Sequence, residues 1–223
     1  MGNRAWLNQQ VILRKTSLID YPGLISAVIF FPGCNLRCPW CHNRELVLGE
    51  KTGTDFISLE KAVAYIKKRR GVLGGVVLSG GEPTLFASLG DLIILLKSFG
   101  LKTKLDTNGL LPGVLELLLA SDAARPDYIA MDVKTIPERY AEFLSQAGKN
   151  PGEDVRKSIA IIRASTVQHE FRSIELPPPP DGETKPYFGK EEAAALASLI
   201  GSSTWHMRKF IPGNCVDTAW DNV

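Results

Sequence analysis

Ala27-Val-Ile-Phe-Phe31-Pro-Gly-Cys34-Asn-Leu-Arg-Cys38-Pro-Trp-Cys41-His-Asn43 is the stretch from which the rest of the chain is read. Its first five residues are apolar, β-branched or aromatic, the composition of a buried strand. Pro32-Gly33 breaks the run, and three cysteines follow within eight residues. Three thiolates on one short loop can each take an iron of a 4Fe–4S cluster, because cysteine thiolates ligate such clusters. The fourth iron then has no protein ligand and stays open to a small molecule.

Other uses of these thiols compete. Of the four cysteines only Cys215 lies outside the loop, and nothing marks the chain as secreted, so a disulfide framework has little to build on. A zinc site of Cys34, Cys38 and Cys41 with His42 or Cys215 is the stronger competitor. Structural zinc usually joins two knuckles, however, and a second C-x2-C is missing from the sequence. Pro32, Gly33 and Pro39 favour an irregular loop over a packed element around inert cysteines.

Outward from this loop, similar apolar runs recur at Gly75–Leu78, Lys102–Leu105, Tyr128–Met131, Glu170–Ile174 and His206–Phe210. Helix-favouring stretches separate them at Leu59–Arg70, Ser88–Phe99, Gly113–Ser121, Pro137–Ala147, Glu153–Ala164 and Glu191–Ile200. Leu59, Val63 and Ile66 share one helical face, with Ser58 placed to cap it. Such alternation predicts βαβ units on a parallel sheet. Six units fall short of the eight of a closed barrel. The expectation is an α/β fold, a partial (β/α)6 barrel, forming a single domain over residues 1–223. Pro177-Pro-Pro-Pro-Asp-Gly182 cannot be strand or helix interior. It reads as a stiff surface loop, with a lid or docking segment as the alternative.

Composition excludes several classes. At 44% hydrophobic and 22% charged the chain is ordinary soluble protein. A formal charge of +2 gives no electrostatic case for nucleic acid or a membrane surface. No run approaches the ~18 apolar residues of a membrane span. Met1-Gly-Asn-Arg-Ala-Trp6 lacks the apolar core of a signal peptide and completes no myristoylation signal. The expected compartment is a reducing cytoplasm.

In parallel α/β folds ligands sit beyond the carboxyl ends of the strands. Three polar motifs fall there: Ser79-Gly-Gly-Glu-Pro83, Asp106-Thr-Asn-Gly109 and Asp132-Val-Lys134. Each alone reads as an ordinary turn. Together with a three-cysteine loop they point to one site, in which Glu82 offers an acceptor to a cationic amine.

On these residues the chain resembles the radical S-adenosylmethionine activases of glycyl radical enzymes. The likeness is carried by Thr16-Ser-Leu-Ile-Asp-Tyr-Pro-Gly23, Phe31 to Asn43, Ser79 to Thr84, Asp106 to Gly109 and Met131-Asp-Val-Lys134. It covers most of residues 10–175 and is closest to the activating proteins of anaerobic ribonucleoside-triphosphate reductase, with pyruvate formate-lyase activases nearby.

The resemblance implies a 4Fe–4S cluster on Cys34, Cys38 and Cys41 and bound S-adenosylmethionine, reductively cleaved to a 5′-deoxyadenosyl radical. That radical would take a hydrogen atom from a glycine of the partner enzyme. Trp40 and His42 would lie near the adenine. Gly80, Gly81 and Glu82 would meet the methionine amino group, while Asp132, Lys134 and Arg172 bind the cofactor further along. Asp106, Thr107, Met131 and Asp132 match a monovalent cation site beside the cofactor carboxylate. Asp20 would lie near the incoming protein substrate. Arg37 and Arg44 could attract a flavodoxin or ferredoxin as electron donor. His206 is out of clear register with the histidine that the pyruvate formate-lyase activases carry on their last strand, and reads as a strand residue. Cys215 reads as a tail cysteine. Two rivals remain: a small-molecule radical enzyme of the carboxy-deazaguanine synthase kind, and a non-catalytic iron–sulfur or zinc module. The first usually continues its cluster loop with Asp-Thr where this chain has His42-Asn43.

Overall fold

The computed structural model describes residues 5–48, 55–142, 150–180, 182 and 188–223. A strand β1 (Gln10–Ser17) turns back into β2 (Ser26–Phe31), after which the cysteine loop leads into a short helix, α1 (Arg44–Leu48). A three-residue strand, β3 (Phe56–Ser58), precedes α2 (Leu59–Arg69). Strand and helix then alternate: β4 (Gly75–Gly80), α3 (Leu89–Lys97), β5 (Lys102–Thr107), α4 (Pro112–Ala120), β6 (Tyr128–Asp132), α5 (Pro151–Ala164), β7 (Gln168–Glu175), α6 (Lys190–Ile200) and β8 (Thr204–Lys209).

These strands form one sheet in the order β3-β1-β2-β4-β5-β6-β7-β8. β2 and β4 to β8 are parallel, and β1 runs antiparallel to both of its neighbours, β2 and β3. The six parallel strands match the expected partial (β/α)6 barrel. Among the described residues β3 and β8 do not pair with each other, so the barrel stays open.

Local chemistry explains the elements. β2 is almost wholly buried, as central parallel strands are, which accounts for its unbroken apolar run. Ser58 caps α2 by accepting from the Lys61 N–H at 3.3 Å, and Leu59, Ala62, Val63 and Ile66 are buried. Lys67, Lys68 and Arg69 close its last turn, where cations suit the helix dipole.

Alternation divides the sheet into two faces. Ala27, Ile29, Phe31, Leu105, Ile129, Met131 and Phe171 pack into the main core with α2 to α6. Val28 and Val77 face the other way and pack with Tyr21, Phe30 and Tyr128. Lys104, Asp106, Asp132 and Arg172 occupy the strand positions of this second face.

Three expectations change. β1 and β3 lie outside the expected strands, because Arg14, Lys15 and Thr16 interrupt any apolar alternation in β1 and β3 is only three residues long. The helix expected over Pro137–Ala147 is a 3-10 helix over Pro137–Glu142, and the remainder lies outside the described residues. β8 begins two residues earlier than expected, because as an exposed edge strand it has no burial pattern to mark its start. Pro177 to Pro179 form no regular element, as their chemistry requires.

Candidate active site

The cysteine loop leaves the carboxyl end of β2 and is fastened on several sides. Gly33 N–H donates to Leu46 O at 2.8 Å, and Cys41 N–H to Cys38 O at 3.1 Å. Arg37 braces the loop by donating to the carbonyls of Cys34 and Leu36, each at 2.8 Å. On the β4 side, Gly81 N–H donates to Phe31 O and Glu82 N–H to Gly33 O, both at 2.8 Å. That approach needs glycine: a Cβ on Gly81 would stand 1.9 Å from Gly33 O, and Gly80 has φ +127°.

The end of the chain closes over the same loop. Val216 N–H donates to Cys41 O and Asp217 N–H to Pro39 O, both at 2.9 Å. Arg44 reaches Val216 O at 3.2 Å, and Asn214 Nδ2 reaches His42 O at 3.3 Å. Trp220 packs on Trp40 and Phe210 on His42, at centroid distances of 5.5 and 5.8 Å. Cys215 is fully buried in this tail, with its N–H donating to Asp221. Nothing in the sequence marked the tail as a clasp, since its contacts span about 170 residues. Arg37 is thus engaged by the loop and Arg44 by the tail.

A cavity of about 250 Å³ opens between this loop and the ends of β4 to β7. Cys34, Cys38, Cys41, Trp40, His42, Gly80, Gly81, Glu82, Asp106, Thr107, Asp132, Lys134 and Arg172 all line it. Asn108, Asn43 and Ser79, which belong to the same motifs, line it too.

Glu82 is buried, and its carboxylate ties two turns together. Oε1 accepts from Thr84 N–H at 3.1 Å, from Thr84 Oγ1 at 2.5 Å and from Thr107 Oγ1 at 2.8 Å. Oε2 accepts from Asn108 N–H at 2.7 Å. Burial pushes its carboxyl pKa up, against the pull of those donors. Four hydrogen bonds, three on Oε1 and one on Oε2, thus fix the carboxyl in place.

Beyond Glu82 runs a line of alternating charges. Lys104 Nζ lies 2.5 Å from Asp106 Oδ1, and Arg172 stands 3.5 Å from the same oxygen. Arg172 Nε donates to Asp132 Oδ1 at 2.7 Å, and Lys134 Nζ to Oδ2 at 2.9 Å. Burial would raise the Asp132 carboxyl, but Arg172 and Lys134 outweigh it and hold it far below the usual range. Lys104 went unnoticed in the sequence. The signal was its i, i+2 spacing from Asp106 on a strand, which puts both on one face.

The three loop thiols are free and reduced. Burial pushes Cys34 up to about 11 and Cys38 up to about 12, with Lys134 opposing the rise at both. Iron binding requires the thiolates and releases those protons. Leu36 N–H donates to Cys34 Sγ at 3.4 Å, and Asn108 Nδ2 lies 3.8 Å from it. Among the described residues no three His, Cys, Asp or Glu side chains gather round a single ion. A cluster instead offers each thiolate its own iron, so this donor set fits one.

Other candidates lie elsewhere. Asp20 sits on the β1–β2 turn, at the opposite end of β2 from the cysteines, paired with Arg14 at 3.2 Å. Leu18 and Ile19 beside it are 73% and 87% exposed. His206 lies directly across from Arg172 on β8, with Nε2 3.5 Å from Glu170 Oε2.

Comparison with known proteins matches residues 28–179 to the radical SAM superfamily. A putative glycyl-radical enzyme activating enzyme of Methanocaldococcus jannaschii is 34% identical over 75% of this chain and 68% of its own. A pyruvate formate-lyase-activating enzyme of Clostridium pasteurianum is 32% identical over 84% and 74%. A 7-carboxy-7-deazaguanine synthase of Rhodospirillum rubrum is 30% identical over 81% and 73%. The solved structure of native anSMEcpe with bound AdoMet shares the fold, at TM-score 0.58 and 14% identity over 80% of this chain and 49% of that one.

Proposed function

The chain belongs to the radical SAM superfamily, and on that footing we propose that it is a glycyl-radical-enzyme activase. It would take a hydrogen atom from a glycine Cα of a partner protein of the anaerobic ribonucleotide reductase or pyruvate formate-lyase type. The observation that carries the reading is one cavity holding three free cysteines of a strand-end loop opposite Asp132, Lys134 and Arg172. Two activase relatives at 34% and 32% identity support it.

Cys34, Cys38 and Cys41 would hold the 4Fe–4S cluster. Bound there, the cluster and S-adenosylmethionine would supply the electron and the carbon-centred radical that the chemistry needs. The protein's part is binding, orientation and exclusion of water. Lys134 and Arg172 would meet the cofactor's carboxylate, with Asp132 holding both cations in place. Glu82 would orient the two turns that receive its amine. Trp40 and His42, pinned by Trp220 and Phe210, would flank its adenine. The open barrel leaves room for a loop of a macromolecular substrate. A flavodoxin or ferredoxin would deliver the electron, within a cytoplasm that keeps the thiols reduced. No helix of the described residues is long and apolar enough to cross a membrane.

The second reading is a deazaguanine-forming enzyme, favoured by the 30% relative. His42-Asn43 after Cys41 weighs against it, and Asn43 is engaged in donating to Gly80 O at 3.3 Å. Anaerobic reconstitution with iron and sulfide, reduction and addition of S-adenosylmethionine should yield 5′-deoxyadenosine. A glycyl radical signal on an added partner enzyme supports the activase. Turnover of a small molecule to a deazaguanine product with no such signal overturns it.

A further inference from the structure

We infer that the Lys104 ammonium stands in for the monovalent cation expected beside Asp106 and Asp132, so that this pocket binds its cofactor without one. The inference rests on the activase reading, because that is what makes a cation expected.

The residues present do not fit a metal ion. Lys104 is almost completely buried, and its Nζ lies 2.5 Å from Asp106 Oδ1. Both oxygens of Asp132 already face cations, Arg172 at 2.7 Å and Lys134 at 2.9 Å. The Thr107 hydroxyl is already turned to Glu82 as a donor and accepts from Gly109 N–H at 3.1 Å, which leaves it a single lone pair. The Met131 side chain is buried against Gly109.

Charge counting leads to the same place. Asp106, Asp132 and the buried Glu170, whose charge also acts on Arg172, are three negative charges, and Lys134 and Arg172 balance two of them. A monovalent cation would bring the group to neutrality. Lys104 supplies that same single charge from within the chain. An ammonium has a metal ion's charge but carries three hydrogen-bond donors in a fixed place. Adding a metal ion beside it would set two like charges a few ångströms apart in a partly buried site.

The position is built by the sheet. Lys104 and Asp106 alternate onto one face of β5. Lys104 is in register with Tyr128 of β6, whose ring lies 5.9 Å from Nζ. Asp106 is in register with Ala130, whose small side chain leaves the span open for Arg172 to reach from β7.

The test uses the whole protein at constant ionic strength, with choline, sodium or potassium as the only added cation. Two readouts are taken: S-adenosylmethionine affinity of the anaerobically reconstituted protein, and the melting temperature of the metal-free protein. The wild type should differ less than twofold in affinity among the three salts, with no cation-specific shift in melting. Lys104→Met should create a requirement, sodium or potassium strengthening cofactor binding at least tenfold over choline. A wild type that needs sodium or potassium overturns the inference, as does a folded Lys104→Met protein indifferent to all three. Should Lys104→Met fail to fold, the wild-type series alone decides. Should S-adenosylmethionine not bind at all, the activase reading fails. The melting series then still reports whether the carboxylates of Asp106 and Asp132 take up a metal cation.

Discussion

Trp220, near the end of the chain, packs against Trp40 in the middle of the cysteine loop, with ring centroids 5.5 Å apart. The contact joins the tail to the loop whose three thiols the site depends on. Around it the tail's backbone donates to Cys41 O and Pro39 O. The clasp therefore holds both the fold and the cluster loop.

Trp220→Ala should separate those roles. Trp220 is 2% exposed, and truncating a buried tryptophan typically costs about 3–5 kcal/mol. The reconstituted variant should lose iron to a chelator at least tenfold faster than the wild type, with far-UV circular dichroism nearly unchanged. Equal iron retention would mean that the loop stands without its clasp.

Gly81→Ala should be far more damaging than an exposed glycine substitution. The added methyl would arrive 1.9 Å from Gly33 O, a backbone atom that cannot swing aside. The cysteine loop must shift, and cofactor cleavage should fall by about 100-fold or more, since small misplacements have that effect. The assay is 5′-deoxyadenosine release under reducing conditions.

Cys38→Ala should leave a largely folded, colourless protein with no cofactor cleavage. Iron and sulfide analysis with ultraviolet–visible spectra checks this. A brown, cleavage-active variant would remove Cys38 from the ligand set.

Glu82→Ala should keep the colour and weaken S-adenosylmethionine binding at least tenfold, read by calorimetry. It strands the donors of Thr84, Thr107 and Asn108, and each buried orphan costs about 1–3 kcal/mol. The melting temperature should drop as well. An unchanged affinity would show that the turns keep their shape without the carboxylate.

Asp132 gives a pH prediction for the metal-free protein. Its folded carboxyl sits far below the usual 3.8, so it adds stability that is present above that value. The contribution is lost as pH falls from about 4 toward the lower folded value. Asp132→Asn should flatten this acid limb in a melting-temperature series while leaving the curve's shape above pH 5 unchanged.

Much of the site was legible because its chemistry is local in sequence. C-x3-C-x2-C needs only a loop, and a polar motif at the end of an apolar run needs only a parallel strand to be placed. The charge partners were harder. Lys104 and Asp106 required knowing that β5 is a strand with its second face turned to the site. The Arg172 contact to Asp106 crosses from β7 to β5 over Ala130, which no spacing reveals. Asp20 shows the opposite limit: its motif is plain in the sequence, yet the antiparallel return of β1 puts it at the far end of β2.

By itself the sequence determined the alternating strands and helices, the thiol loop and the motifs at the strand ends, because period and turn chemistry act over a few residues. Only the tertiary structure decided the antiparallel edge of β1 and β3, the clasp of Trp220 on Trp40, and the pairing of three cations with two carboxylates. Those depend on which distant strands lie side by side and on which face each side chain emerges, and burial across the whole sheet sets both.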